Sequence, residues 1–318
     1  MGLGSVARRF WHEPRGRLKQ MVLEGGPLEQ HRTARGHEAM KAAATRLPQM
    51  TPPDGRYGVE ARFLSGANFW YQTVFCIASL QRHADKRIDP VIVDDGTLSG
   101  AVREAILAVV PWARFVLGEE VAEQLETRLP RSRFPALRAR REVYPHLRKL
   151  TDLHDPGAWS LILDSDMLFF RRPDALLAWM DAPADVLFIE DVVRSYGYSD
   201  ALMDDLARGS VPARMNVGLY GLHGAAVDFD YLERCCRVTI DRERANYVQE
   251  QALTALLVSG MTWKILPAAE YRVMPDIAEG RAPTAVMHHY VAQSKRSYFQ
   301  YGWKQTAANL SAHGLVSS

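Results

Sequence analysis

The sequence predicts an α/β fold: a mostly parallel, Rossmann-like mixed sheet with helices on both faces, preceded by a helical N-terminal extension. From residue 59 onward, short apolar runs alternate with amphipathic stretches, which is the pattern of strands and helices in such a sheet. Three of the apolar runs end directly in acidic residues. Because ligands of open α/β sheets bind outside the carboxyl ends of the strands, these residues mark the predicted functional edge.

Length and composition are those of an ordinary globular protein. The chain has 318 residues, of which 47% are hydrophobic and 24% are charged, enough for one α/β domain with a buried core. The net charge of +2 is too small to indicate nucleic acid as a partner. The three cysteines form no Cys-x-x-Cys pair, and the chain has neither a secretory signal pattern nor an apolar run that spans a bilayer. We therefore expect a cytoplasmic protein.

A cluster of helix breakers at residues 51–55 divides the predicted domains. Residues 1–55 are predicted to form a polar, helical N-terminal extension, and residues 56–318 a single α/β domain. Apolar residues at 18 and 21–23 give the basic N-terminal helix only a thin apolar face, so association with a membrane surface is not favoured.

The predicted elements of the domain follow one another in α/β order. Strands are predicted over residues 59–64, 90–93, 161–163 and 186–189. Helices are predicted over residues 68–82 and 101–110, the second with Thr97 or Ser99 as its N-cap.

The motif Asp164-Ser165-Asp166 follows the most apolar of these strands. If the strand continues through the motif, residues two apart point to the same side, so both carboxylates can converge on one cation. Carboxylate oxygens suit Mg²⁺ or Mn²⁺, and such an ion can bridge the two phosphates of a nucleotide diphosphate. The alternative is an ordinary turn, where aspartate and serine are common.

The Asp-x-Asp motif and a series of residues elsewhere in the chain resemble the motifs of GT-A-fold glycosyltransferases, especially glycosyltransferase family 8, and they occur in the same order. The family's Leu-Asp-x-Asp is matched by residues 163–166, and its basic residue before that strand by Lys149. Asp191 matches an aspartate at the end of the next strand. Residues 215–218 resemble the Phe-Asn-x-Gly segment, and residues 250–251 resemble an Asp-Gln pair that precedes an apolar helix.

Near the C-terminus the family has a histidine metal ligand six residues before a phosphate-binding lysine. His289 and Lys295 keep this spacing, with His288 as the alternative ligand. The sequence departs from the family in having Ala292 in place of a glycine and Arg296-Ser297 in place of Pro-Trp.

The resemblance implies a metal-dependent glycosyltransferase that uses Mn²⁺ or Mg²⁺ and a nucleotide-diphosphate sugar. It implies transfer with retention of anomeric configuration to a small-molecule, glycan or protein acceptor. The implied metal ligands are Asp164, Asp166 and His289. The implied donor-binding residues are Ser65, Asp94, Asp95, Lys149, Asn216 and Lys295. The implied catalytic residues are Asp191, Glu250 and Gln251.

Other readings of the sequence remain open. A sugar nucleotidylyltransferase normally has a glycine-rich, basic phosphate loop after its first strand, and residues 64–68 lack one. A phosphatase with an aspartyl nucleophile places Asp-x-Asp near the start of its domain rather than in mid-chain. A non-catalytic sugar-nucleotide or glycan-binding protein with the same fold is a third reading. The basic stretch 128–149 is either a solvated helix face or an attractor for an anionic substrate.

Overall fold

The computed structural model describes residues 25–314, with side chains described to residue 310. The strands are β1 (Arg56–Ser65), β2 (Arg87–Asp94), β3 (Arg114–Val116), β4 (Trp159–Leu163), β5 (Met167–Phe169), β6 (Val186–Glu190), β7 (Met215–His223), β8 (Trp263–Leu266), β9 (Tyr271–Val273) and β10 (Met287–His289). The helices are α1 (Pro27–Ala44), α2 (Trp70–Arg82), α3 (Gly100–Val109), α4 (Gly118–Arg128), α5 (Pro135–Val143), α6 (Arg148–Asp152), α7 (Asp174–Asp181), α8 (Asp200–Leu206), α9 (Phe229–Glu243), α10 (Gln249–Val258), α11 (Ile277–Arg281), α12 (Lys295–Ser297) and α13 (Trp303–Gly314).

The main sheet has seven strands in the order β3-β2-β1-β4-β7-β6-β8. All neighbours are parallel except that β7 runs antiparallel to both β4 and β6. This confirms the predicted mostly parallel mixed sheet. Each strand predicted from the sequence is present and is one to four residues longer than predicted, since turn and edge residues also pair.

Two buried apolar clusters cover the two faces of the sheet. Consecutive residues of β4 alternate between them: Leu161 and Leu163 pack into one cluster and Ile162 into the other. A strand buried on both faces is a continuous apolar run, which is why β4 is so clear in the sequence. Helix α3 begins at the predicted cap, where the Ser99 side chain accepts a hydrogen bond from the Val102 amide.

A second, three-stranded sheet has the order β5-β10-β9. Its strand β5 follows β4 after a short turn at residues 164–166, and β10 pairs with β5 in antiparallel register, with His289 opposite Met167. This register brings the chain near residue 289 back beside the end of β4, although more than a hundred residues separate the two in sequence.

Helix α1 packs on the domain, against α2, α12, α13 and the π-helical turn Tyr298–Gly302. At Gly36 the approach is so close that an added Cβ would lie 2.0 Å from the carbonyl oxygen of Phe299. The basic helix expected near residues 18–23 lies outside the described residues. Within residues 25–314, no helix is long and apolar enough to cross a membrane.

Candidate metal and donor site

The turn after β4 carries two carboxylates that meet a histidine from β10. The strand ends at Leu163, so the expected alternation of a continuing strand is not what brings Asp164 and Asp166 together. Instead, the turn directs both toward His289. The ligand atoms of the three residues lie within 4.8 Å of one another, and His289 Nε2 is 3.6 Å from Asp164 Oδ2 and 3.3 Å from Asp166 Oδ1.

The chemistry of this donor set fits a divalent cation. His289 Nε2 and Asp166 Oδ1 are buried, and although they lie 3.3 Å apart, neither makes a hydrogen bond within the described chain. Unpartnered buried polar atoms are costly, and a shared cation would satisfy both. Burial lowers the pKa of His289, but the two carboxylates outweigh this effect and raise it to about 9. Without a metal, a proton on the imidazole therefore balances part of their charge.

A glycine makes room for the histidine. Gly218 on β7 faces the imidazole, and an added Cβ would lie 2.1 Å from His289 Cε1. The Gly218 carbonyl also accepts a 2.7 Å hydrogen bond from the Asp164 amide, which fixes the start of the turn. The glycine of the Asn-x-Gly segment thus touches both sides of the candidate metal site.

Of the two candidate histidines, His289 faces Asp164 and Asp166, whereas His288 faces the other side of β10. Its Nε2 lies 2.9 Å from Glu279 Oε1, and its Nδ1 lies 2.9 Å from the Tyr290 hydroxyl. Both ring nitrogens are occupied, so the geometry favours His289 as the ligand.

Lys149 is buried beneath the turn. Its Nζ donates 2.9 Å to Asp164 Oδ1 and 3.3 Å to the Val217 carbonyl, and it lies 3.7 Å from Glu250 Oε2. Burial alone would lower the pKa of Lys149, but the two carboxylates hold it above its usual range. Burial raises the pKa of Glu250 to about 7. Glu250 therefore lies behind Lys149, as part of the support for Asp164.

Lys295 lies on the opposite side of the carboxylates and is partly exposed. Its Nζ donates a 2.5 Å hydrogen bond to Asp166 Oδ2. Burial would raise the pKa of Asp166, but Lys295 and His289 keep it below its usual range. Two carboxylates are thus flanked by two ammonium groups, an arrangement suited to an anionic ligand.

The remaining implied catalytic residues form a second cluster at the ends of β6 and β7. Asp191 Oδ2 accepts hydrogen bonds from Asn216 Nδ2 at 3.2 Å and Gln251 Nε2 at 3.3 Å. Its Oδ1 accepts one from the Val192 amide at 2.8 Å. Gln251 also donates to the Ser195 carbonyl at 3.0 Å. Asp191 is therefore held in one orientation by three donors.

The three residues Asp164, Asp166 and His289 are called the candidate metal cluster here, and a cleft of about 350 Å³ opens at its two carboxylates. Asp95 lines it together with Lys149, Asp164 and Asp166. The Asp95 carboxylate also accepts a hydrogen bond from the Thr97 amide. Asp94 does not line this cleft. Its Oδ1 accepts hydrogen bonds from the amides of residues 96 and 98, so it shapes the turn after β2.

A chain of hydroxyl groups, which the sequence did not predict, lies under the turn at residues 164–166. Ser65 Oγ is 2.7 Å from Thr73 Oγ1, which is 2.8 Å from Ser165 Oγ. Ser65 is fully buried and does not line the cleft. The cleft is also lined by Phe69, Gln72 and His146, none of which matches a motif, since isolated residues of these types carry no recognisable spacing.

The basic stretch 128–149 is largely paired within the protein. Arg131, Arg133, Arg138 and Arg141 form ion pairs with the carboxylates of Glu142, Asp230, Glu126 and Asp152. Arg128, Arg140 and Arg148 donate to backbone carbonyls of residues 154, 246 and 95. Of this stretch, only Lys149 contacts the metal cluster.

No protein-family model and no curated protein matches the chain. Solved structures do match. The bifunctional glycosyltransferase WbbM in its apo form has 14% identity over 82% of this chain with a TM-score of 0.50, and the chain spans about half (53%) of that protein. Apo mouse xyloside xylosyltransferase 1 has 13% identity over 73% of this chain and 97% of its own (TM-score 0.47). The galactosyltransferase LgtC, in complex with donor and acceptor sugar analogs, has 16% identity over 80% of this chain and 96% of its own (TM-score 0.49).

The likeness to WbbM concerns the fold. Together with the sheet order, it shows that the chain has the GT-A-type fold of glycosyltransferases, as the sequence motifs predicted.

Proposed function

We propose that this protein is a metal-dependent glycosyltransferase that moves a sugar from a nucleotide-diphosphate donor with retention of configuration. The observation that carries the proposal is the cluster of Asp164, Asp166 and His289 at the cleft outside β4, in which Asp166 Oδ1 and His289 Nε2 are buried without a hydrogen bond. Ligands of this type of sheet bind at that edge. Mn²⁺ or Mg²⁺ bound there would neutralise charge on the departing diphosphate.

The side chains in and beside the cleft have distinct roles in this proposal. Lys149 and Glu250 hold Asp164 in place from below. Lys295, which contacts Asp166 in the absence of ligand, stabilises negative charge on the diphosphate as it leaves. Asp95 lines the part of the cleft that accepts the nucleoside.

Retention is supported by the state of the carboxylates beyond the metal cluster. An inverting enzyme needs a carboxylate that is free to take the proton of the acceptor hydroxyl. Glu190 is paired with Arg214 at 2.8 Å, and both oxygens of Asp191 accept hydrogen bonds. In the proposed reaction the sugar–phosphate bond breaks, the acceptor oxygen bonds to the same face of the sugar, and the leaving diphosphate takes the proton. Asp191 and Gln251 orient the donor sugar.

A panel of nucleotide sugars with MnCl₂ tests this function. The expected result is the release of nucleoside diphosphate from one donor, its loss in chelator, and its loss in Asp166→Ala. Asp181→Ala removes an exposed aspartate that pairs with Lys86 away from the cleft, and it should retain wild-type activity. Full activity of Asp166→Ala would contradict the site assignment.

The same assay separates the alternatives. Release of pyrophosphate from a nucleoside triphosphate and a sugar phosphate would identify a nucleotidylyltransferase. Binding of a nucleotide sugar without turnover would identify a non-catalytic binding protein. Proton NMR of fresh product tests stereochemistry: a β-linked product from an α-linked donor would contradict retention and favour Glu190 or Asp191 as base.

A further inference from the structure

Lys295 stands on a segment with little structure of its own. Residues 292–300, here called the Lys295 segment, contain a 3₁₀ turn, the three-residue helix α12 and the start of a π-helical turn. At its start Ala292 has φ +48°, in the left-handed region that disfavours residues with a side chain. Helices this short are not stable alone, so contacts with the rest of the protein must fix the direction of the Lys295 side chain.

The N-terminal helix α1 supplies those contacts. Glu29 Oε2 accepts hydrogen bonds from Arg296 Nε at 3.0 Å and from Gln300 Nε2 at 3.1 Å, and it lies 2.7 Å from Arg296 Nη2. Gln300 also donates to Thr33 Oγ1 at 3.0 Å. These bonds join the first two turns of α1 to the middle residue of α12 and to the π-helical turn that follows it.

Apolar packing reinforces the same junction. Gly36 lets the backbone of α1 approach the Phe299 carbonyl, and the His37 ring packs edge-on to the Phe299 ring at 4.9 Å. His37 Nε2 is also 2.5 Å from the Tyr71 hydroxyl, which accepts a hydrogen bond from Gln72, a residue lining the donor cleft. Helix α1 thus contacts neighbours of the site at two places, the Lys295 segment and Tyr71.

We infer that Glu29 is a positioning residue: through its ion pair with Arg296 it holds Lys295 against the metal-binding carboxylates. The inference rests on the proposed function for its catalytic consequence. It also accounts for Arg296, which departs from the motif that the sequence otherwise resembles. Residue 296 follows Lys295 on the same helical turn, so the ion pair that anchors Arg296 fixes the backbone from which the Lys295 side chain extends.

The first test measures the position of Lys295 without any nucleotide. Glu29→Gln keeps the size of the side chain and removes its charge. The protein is labelled with an amine-reactive reagent, and the labelling rates of Lys295 and of exposed Lys304 are followed by peptide mass spectrometry. We expect Lys295 to react faster in Glu29→Gln than in the wild type, with Lys304 unchanged. An unchanged rate for Lys295 would overturn the inference.

The second test uses the donor found in the nucleotide-sugar panel. Glu29→Gln should lower kcat/KM about tenfold, mostly through kcat, as expected for a lost interaction that acts on the transition state. In a Lys295→Ala background the same change should alter kcat/KM by less than about twofold, because Glu29 then has nothing to position. Equal effects in both backgrounds would show a merely structural role.

Two further variants make the outcomes unambiguous. Arg32→Ala removes an exposed partner of Glu29 that does not contact the Lys295 segment, and it should behave as wild type in both tests. Arg296→Gln removes the same ion pair from the other side and serves if Glu29→Gln does not fold, as judged by its thermal midpoint. A changed labelling rate in a protein that turns over no donor would contradict the proposed function and leave the positioning role intact.

Discussion

Replacing Gly218 by alanine tests the candidate metal site without changing any of its ligands, because Gly218 packs directly against the imidazole of His289. The added Cβ would lie 2.1 Å from His289 Cε1, whereas carbon atoms in contact are about 3.5–4.0 Å apart. The imidazole must therefore move by roughly 1.5 Å. Metal–ligand distances tolerate only about 0.2 Å, so His289 should no longer bind the ion proposed to be shared with Asp164 and Asp166.

The expected result is a loss of at least about 100-fold in Mn²⁺ affinity, since even outer contacts of metal ligands contribute 10–100-fold. The affinity is measured by titrating MnCl₂ into the protein and following free Mn²⁺ by electron paramagnetic resonance.

The matched control lies on the same strand. In Gly221→Ala the added Cβ would lie 2.1 Å from Trp179 Cη2, in the core. Both variants are overpacked, at a cost of about 1–3 kcal/mol in the free energy of unfolding, but only Gly218→Ala should lose Mn²⁺ affinity. Wild-type affinity in a folded Gly218→Ala protein would refute the assignment of His289 as a ligand.

Three further predictions concern protons, charge and the sugar. The carboxylates raise the pKa of His289 to about 9, so Mn²⁺ must displace a proton from the imidazole in order to bind. The affinity of the protein for Mn²⁺, measured in the same titration, should therefore rise by up to about tenfold per pH unit between about pH 6.5 and about pH 9. An affinity that does not change with pH would contradict this. Protonated His289 likewise stabilises the metal-free protein fully below about pH 6.5, and this stability is lost as the pH rises through about 9. Lys149→Met removes the cation beside buried Glu250 and partly buried Asp164 and should lower the free energy of unfolding in urea by about 3–5 kcal/mol. Lys86→Met, at an exposed pair, should change it by less than about 1 kcal/mol. Asp191→Asn should lower kcat/KM about 100-fold without altering Mn²⁺ affinity, because it places an amide among amide donors; reduced Mn²⁺ affinity would show that the two clusters are not separate.

Local sequence patterns were enough to predict the class of fold. The strand β4 is buried on both faces, so it is apolar throughout and visible without any knowledge of its neighbours. The acidic turn that follows β4 marks the functional edge for a different reason. Strands that alternate with helices run mostly parallel, so their carboxyl ends lie at the same edge of the sheet. The order of the later motifs added the resemblance to GT-A glycosyltransferases.

The direction in which individual side chains point was not visible in the sequence. The sequence implies His289 as the ligand but leaves His288 as the alternative, because neighbouring residues of a strand face opposite sides and only the pairing of β10 with β5 decides which side faces Asp164 and Asp166. The resemblance implies a catalytic role for Glu250, and in the structure its carboxylate lies behind Lys149, 3.7 Å from Nζ. The division at residue 55 remains a prediction, although α1 contacts the segment that carries Lys295.

The sequence by itself determined where strands end and which residues with suitable chemistry follow them, because those properties depend on neighbours within about ten positions. The tertiary structure decided which of these residues meet. Asp166 and His289, Lys149 and Glu250, and Glu29 and Arg296 are each separated by about a hundred residues or more along the chain. Their contacts depend on sheet order, strand register and the packing of helices, which no local pattern encodes.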